Sequence, residues 1–164
     1  MEKSKSRQIC DTTELFGMSA FFHIIDKMQN IKEKQISELN SLYEKSSSGN
    51  IKGIITDIID MAEKSKSLIA EIKSSSNVGQ IEQQRDYAMY DHLLSEDISI
   101  EANNAESLLK AALKESKDLV GILSVLKSNY GPELSRRLEA LEYNEILNKN
   151  RISNLLDTFI YESW

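Results

Sequence analysis

A helical face that is apolar at both ends and polar in its middle runs from Leu134 to Phe159. At alternating steps of four and three, which share one side of a helix, it reads Leu134, Leu138, Leu141, Glu145, Asn148, Ile152, Leu155 and Phe159. Glu145 and Asn148 stand where apolar residues would continue the pattern. A buried carboxylate or amide destabilises a fold unless other groups satisfy it. We therefore expect the segments that pack on this face to present polar partners at its centre.

With this segment included, the chain predicts four long helices and one short one. Six glycines and one proline leave few points at which a helix would be interrupted. Capping signals, apolar periodicity and Ser-rich breaks predict long helices from Asp11 or Thr12 to about Lys45, from Asn50 to about Lys73, from Ser95 or Ser99 to about Lys127 and from Pro132 almost to Trp164, with a shorter one from Gln80 to Leu94. Residues 1–10 are expected to form a flexible N-terminal tail, and residues 11–164 a single four-helix bundle domain.

The two predicted pairs of long helices resemble each other. A shift of about 83 residues superposes their apolar positions without a gap. The turn Ser48-Gly49-Asn50 then falls on Gly131-Pro132-Glu133. Any two amphipathic hairpins align by heptad phase, but agreement through the turn favours an internal repeat.

Composition restricts the classes of function. The 164 residues are 40% hydrophobic and 28% charged, as in a globular domain with one core. A net charge of -6 disfavours nucleic acid as a partner because phosphates would be repelled. No apolar run approaches the ~20 residues that cross a bilayer, and residues 1–10 lack the apolar centre of a signal peptide. We expect a cytoplasmic location with no membrane partner, and no role for the single cysteine, Cys10.

Two related hairpins joined by a long connection resemble the ferritin-like superfamily, and rubrerythrin-type domains within it, over roughly Phe22 to Phe159. In that family each hairpin contributes a Glu from its first helix and a Glu-x-x-His pair from its second. These six ligands hold two iron or manganese ions. By position, Glu115 and Glu145 correspond to two of the six and are the candidate metal residues.

The other four ligand positions differ from the family pattern. They are occupied by Lys32, Ala62, Ser65 and Asn148. Neither His23 nor His92 lies in a Glu-x-x-His motif. The resemblance therefore implies an all-α, ferritin-like four-helix bundle with a degenerate metal site.

We hypothesise that the ammonium group of Lys32 replaces the bound cation and neutralises Glu115 and Glu145. Polar neighbours would complete the hydrogen bonds. The predicted polar centre consists of Gln29, Lys32, Ser65, Glu115, Glu145 and Asn148. No cofactor is expected in this case; the alternative is iron or manganese at Glu115 and Glu145.

Three functions are compatible with this pattern. The preferred one is a divergent ferritin-like bundle that lacks the standard dimetal site and acts as a binding or structural module, not as an enzyme. The second is a rubrerythrin-like oxidoreductase that handles peroxide, oxygen or iron at a reduced site. The third is a helical scaffold whose polar layer fixes the register of its helices. The sequence identifies no ligand.

Two other groups of residues have competing interpretations. Asp57, Asp60 and Glu63 with Glu142 would suit a cation, but a solvated acidic face is the preferred interpretation. Aromatic and apolar residues near the helix ends either mediate assembly of a homo-oligomer or close the ends of the bundle. These residues are Phe21, Phe22, Phe159, Ile160, Tyr161 and Trp164.

Overall fold

The computed structural model describes residues 2–75 and 105–162, with side chains for residues 21–74 and 105–161. The described residues form four long α-helices and no strand, so the fold is all-α as predicted. The helices are α1 (Glu2–Lys45), α2 (Gly49–Ser75), α3 (Ala105–Leu126) and α4 (Pro132–Glu162), with a 3-10 turn (Lys127–Asn129) between the last two. Several predictions lie outside the described residues: the short helix from Gln80 to Leu94, which contains His92, and the start of a long helix at Ser95 or Ser99. Trp164 also lies outside them.

The first helix begins at Glu2, so the predicted start at Asp11 or Thr12 is wrong. No glycine or proline precedes Gly17, and Glu, Lys, Arg and Gln are frequent in this segment. These residue types favour the helical state. A capping signal within such a segment does not make the helix begin there, because the residues before it can also adopt the helical conformation.

The turns that begin α2 and α4 have the same hydrogen-bond pattern. The Lys52 amide donates to the Ser48 carbonyl at 3.0 Å, and the Ser135 amide donates to the Gly131 carbonyl at 2.9 Å. Ser48 rather than Asn50 caps α2, because its Oγ accepts from the Ile51 amide at 3.4 Å. Pro132 begins α4, where its missing N–H is not needed.

Each helix packs antiparallel against its neighbours. α1 packs on α2, α3 on α4 and α2 on α4, whereas α1 and α3 approach each other less closely. A guanidinium nitrogen of Arg151 lies 3.9 Å from a carboxylate oxygen of Asp57, and one of Arg137 lies 3.9 Å from a carboxylate oxygen of Glu71. These pairs show that α2 and α4 run in opposite directions. α2 and α3 therefore run in the same direction, and α2 ends at the opposite end of the bundle from the start of α3.

The apolar core is divided into two clusters by a layer of polar residues. The first cluster includes Phe21, Met28, Ile69, Leu123 and Leu138, and the second includes Leu39, Ile55, Leu109, Ile152 and Leu155. Every helix passes from one cluster to the other through a buried polar residue. The polar layer therefore lies at the level predicted for the middle of the bundle.

None of the described helices combines the length and the apolarity that crossing a bilayer requires.

Candidate functional site: a buried lysine–glutamate centre

The centre of the bundle contains a buried ion pair between α1 and α4. Lys32 Nζ lies 2.7 Å from Glu145 Oε2, and the two side chains are 0% and 1% exposed. The helical period places both residues in line with apolar core positions, so neither side chain extends to water. Such a pair is tolerated in a protein interior only when the two charges meet directly and their other hydrogen-bonding sites are satisfied.

The second carboxylate oxygen of Glu145 is bound by α2. Ser65 Oγ donates to Glu145 Oε1 at 2.7 Å. Asn144 Nδ2 in turn donates to Ser65 Oγ at 2.7 Å and to the Met61 carbonyl at 2.9 Å. Glu145 is therefore held by a cation from α1 and a hydroxyl from α2, and its neighbour Asn144 fixes that hydroxyl.

Gln35 extends these contacts to α3. Lys32 Nζ donates to Gln35 Oε1 at 2.9 Å. The amide nitrogen of Gln35 donates, at 3.4 Å each, to Glu115 Oε2 and to the Ala112 carbonyl. One continuous set of contacts thus joins all four helices. We call it the polar network, and its side chains are Lys32, Gln35, Ser65, Glu115, Asn144 and Glu145.

Glu115 lies at the looser end of the network. Its side chain is 5% exposed, and the nearest cation is Lys34, whose Nζ lies 3.7 Å from Glu115 Oε1. Burial raises the pKa of Glu115 above its ordinary value because the charged form loses hydration. Lys34 opposes this rise in pKa, the negative charge of Glu38 adds to it, and Gln35 and Lys32 oppose it more weakly.

Gln29 does not belong to the centre, which corrects the prediction. Its side chain is only half-buried and accepts a hydrogen bond from Lys73 at 3.1 Å. Gln29 belongs to a line of α1 residues that reads Phe22, Ile25, Gln29, Lys32, Ile36, Leu39 and Tyr43, and the buried face of α1 is centred between this line and a second one. The second line, Phe21, Ile24, Met28 and Ile31, leads to Gln35 by one further step of four. Extending this second line by one step would therefore have predicted that Gln35 is buried.

Asn144 was also missed by reasoning from the sequence. It follows Leu141 by three positions and precedes Asn148 by four, so it shares their helical face. A stripe that steps from Leu141 to Glu145 passes over it. Asn144 is 2% exposed and Asn148 is 0% exposed.

The remaining candidates do not converge on a second site. Asp57, Asp60 and Glu63 are exposed on α2, whereas Glu142 accepts a hydrogen bond from Lys127 at 2.9 Å. His23 is exposed on α1. Among the residues with described side chains, no group of three or more His, Cys, Asp and Glu is arranged to hold a metal ion.

The aromatic residues at the bundle ends differ in exposure. Phe21 is buried, and its ring packs edge-on against Tyr130 with centroids 5.1 Å apart. Phe21 therefore closes one end of the bundle and is not available on the surface. Tyr161 is 81% exposed, and Phe159 and Ile160 are half-buried.

The residues at the six family ligand positions do not fit a dimetal centre. The ammonium group of Lys32 repels cations and contacts the carboxylate that would have to bind them. Ala62 has no ligand atom, and Ser65 uses its hydroxyl proton on Glu145. Glu115 and Glu145 remain as carboxylate ligands, and Asn148 adds one carboxamide oxygen. These three are fewer than the six ligands that hold two iron or manganese ions in that family.

No protein-family model matches this chain, and neither a curated protein nor a solved structure is significantly similar to it.

Proposed function

We propose that this chain is a divergent ferritin-like bundle in which a lysine–glutamate centre replaces the dimetal site, and that it acts as a structural or binding module rather than as a metal-dependent oxidoreductase. The observation that carries the proposal is the 2.7 Å contact between Lys32 Nζ and Glu145 Oε2 in the middle of the core. A side chain of the protein supplies there the positive charge that metal ions supply in the family.

The arrangement of the helices supports the ferritin-like part of the proposal. Two adjacent antiparallel hairpins, with α2 and α3 running in the same direction, are what a ferritin-like bundle requires. The matching turns at Ser48 and Gly131 support descent of the two hairpins from one repeated unit. A coiled coil that forms only between chains would not require α2 and α4 of one chain to pack together.

The chemistry of the polar network supports the metal-free part. Its contacts join residues of all four helices, so it fixes the helices in one register without a bound ion. Specific pairing of buried polar groups selects one helix register over others, as a polar core position does in coiled coils. By fixing the register, the polar network also fixes how the outer surfaces of the helices are arranged. A binding or structural role depends on that arrangement.

Elemental analysis of protein purified without chelators tests the proposal. We expect no stoichiometric iron or manganese, and the same result for the Glu115→Ala/Glu145→Ala variant. We also expect the thermal midpoint to be unchanged by EDTA or by added Fe²⁺ or Mn²⁺, since a ligand that binds the folded state would raise it. About two ions per chain, lost in the double variant, would overturn the proposal in favour of the rubrerythrin-like alternative.

A further inference from the structure

The polar layer contains buried groups that the polar network leaves without partners. Asn148 is 0% exposed, and neither its Oδ1 nor its Nδ2 has a hydrogen-bond partner among the described residues. The hydroxyl of Ser116, also 0% exposed, and Oδ1 of Asn144 likewise have no hydrogen-bond partner among the described residues. Buried polar atoms in native proteins are nearly always bonded to protein or to ordered water.

These groups lie at one level of the bundle. Asn144 and Asn148 are one turn apart on α4, on either side of Glu145 in the sequence, and Ser116 follows Glu115 on α3. Gln35 contacts Glu115, and Lys32, one turn earlier on α1, contacts Glu145. The segments around Ser116 and Asn148 are therefore held at the same height in the core, beside the ion pair.

The chemistry of the unpartnered atoms restricts what can bind them. A bare cation would satisfy the oxygens but not Nδ2 of Asn148, and an anion would satisfy only the donors. The amide orientation of Asn144 is fixed, because its nitrogen bonds to Ser65 and to Met61, so its free atom is an acceptor. The guest must both donate and accept hydrogen bonds, must be neutral beside an existing ion pair, and must be small.

We propose that the bundle centre binds an internal water molecule, held by the carboxamide of Asn148 together with Ser116 Oγ and Asn144 Oδ1. Water offers two donors and two acceptors, and buried waters commonly make about three hydrogen bonds to otherwise unsatisfied groups. The inference is independent of the proposed function, because it rests on these side chains and not on the ferritin-like resemblance.

Magnetic relaxation dispersion of water ¹⁷O and ²H, recorded on the full chain, tests the site. We expect the wild-type protein to give a dispersion from water that tumbles with the protein, and Asn148→Leu to lose that component. Asn150→Leu is the matched control, because Asn150 is exposed on the same helix two residues further on. The control should retain the full dispersion amplitude.

Ser116→Ala keeps the test decisive if Asn148→Leu does not fold, because it removes one hydroxyl with little change in volume. We expect it to reduce the dispersion amplitude or to shorten the residence time of the bound water. A wild-type protein without a long-lived water, or an amplitude that neither substitution changes, would overturn the proposal. So would a crystal structure in which Asn148 bonds to another side chain, to a metal ion or to an organic molecule.

Discussion

Glu145 and Glu115 are both buried carboxylates of the second hairpin, but their surroundings differ. Glu145 contacts Lys32 and Ser65 at 2.7 Å each. Glu115 contacts Gln35 at 3.4 Å and the half-exposed Lys34 at 3.7 Å. One carboxylate meets its counter-charge inside the core. The other meets it between α1 and α3, which approach each other less closely than the other neighbouring helices.

The difference shows that burial alone does not determine how a core tolerates a charge. Glu145 is fixed by short, charge-assisted contacts from two helices, which are stronger than neutral hydrogen bonds. The longer contacts of Glu115 compensate its loss of hydration incompletely, and its pKa is raised in consequence. Substitutions at the two sites should therefore differ in size and in their dependence on pH.

The largest effect is expected from Lys32→Met. Removing the ammonium leaves Glu145 buried without its counter-charge, which typically costs about 3–5 kcal/mol. Lys34→Met, two residues later, is the comparison: its ammonium is half-exposed and lies 3.7 Å from Glu115 Oε1, so water replaces part of what it supplies and its removal should cost less than that of Lys32. Urea unfolding monitored by circular dichroism measures both. Equal unfolding midpoints for the two variants would show that the contact between Lys32 and Glu145 stabilises the fold no more than the contacts of Lys34 do.

Replacing both partners should restore most of the stability that Lys32→Met loses. In Lys32→Met/Glu145→Met no charge remains to be compensated at that place, and apolar replacements of buried pairs are often neutral or stabilising. Ser65 would still lose an acceptor, which typically costs about 1–3 kcal/mol, so we expect a partial recovery. The same unfolding experiment checks it, and a double variant no more stable than Lys32→Met would contradict the assignment of the loss to an unpaired carboxylate.

Ser65→Ala should have a smaller effect than Lys32→Met. It removes a hydrogen bond to a charged group, worth about 1.5–3 kcal/mol, and the acceptor of one Asn144 contact. Ser67→Ala is its control, because that hydroxyl is exposed and bonds only within α2; it should stay within about 0.5 kcal/mol of the parent. If the two serine variants unfold together, Glu145 does not depend on the contact from α2.

Helical periodicity predicted the four long helices, though not the start of α1, and much of the centre. It placed Lys32, Ser65, Glu115, Glu145 and Asn148 on inward faces, and the structure has all five side chains buried. It did not determine which partner each group would choose, because that choice depends on the rotation and spacing of the helices. The rotation and spacing of the helices are set by packing between them, so they cannot be derived from the residue pattern of a single helix.

The three errors on the site, the inclusion of Gln29 and the omission of Gln35 and Asn144, have a common physical origin. A stripe drawn at alternating steps of four and three follows one line, whereas the buried face of α1 covers two neighbouring lines. Gln29 lies at the edge of that face, and Gln35 lies near its middle. Asn144 was passed over for the same reason on α4. Extending both lines of each helix would have identified the bridging residues, though not their hydrogen bonds.

The smallest expected effect is a change in pH dependence at Glu115. Its folded pKa is raised above 4.5, so the folded protein holds this proton over a pH range in which the unfolded chain has released it. The unfolding free energy from this group is therefore highest below pH 4.5 and falls as pH rises through the raised pKa. Glu115→Gln removes the titration and should flatten the stability profile in that window.

Glu44→Gln, an exposed change of the same charge, controls for the altered net charge in this experiment. Thermal or urea unfolding between pH 4.5 and 8 gives the profiles of the parent and both variants. Glu38 also has a pKa raised by burial and shares Lys34, so the flattening should be partial and should increase in Glu38→Gln/Glu115→Gln. A Glu115→Gln profile parallel to that of the parent would mean that the contacts of Glu115 fully compensate its loss of hydration, which would remove the contrast between the two carboxylates.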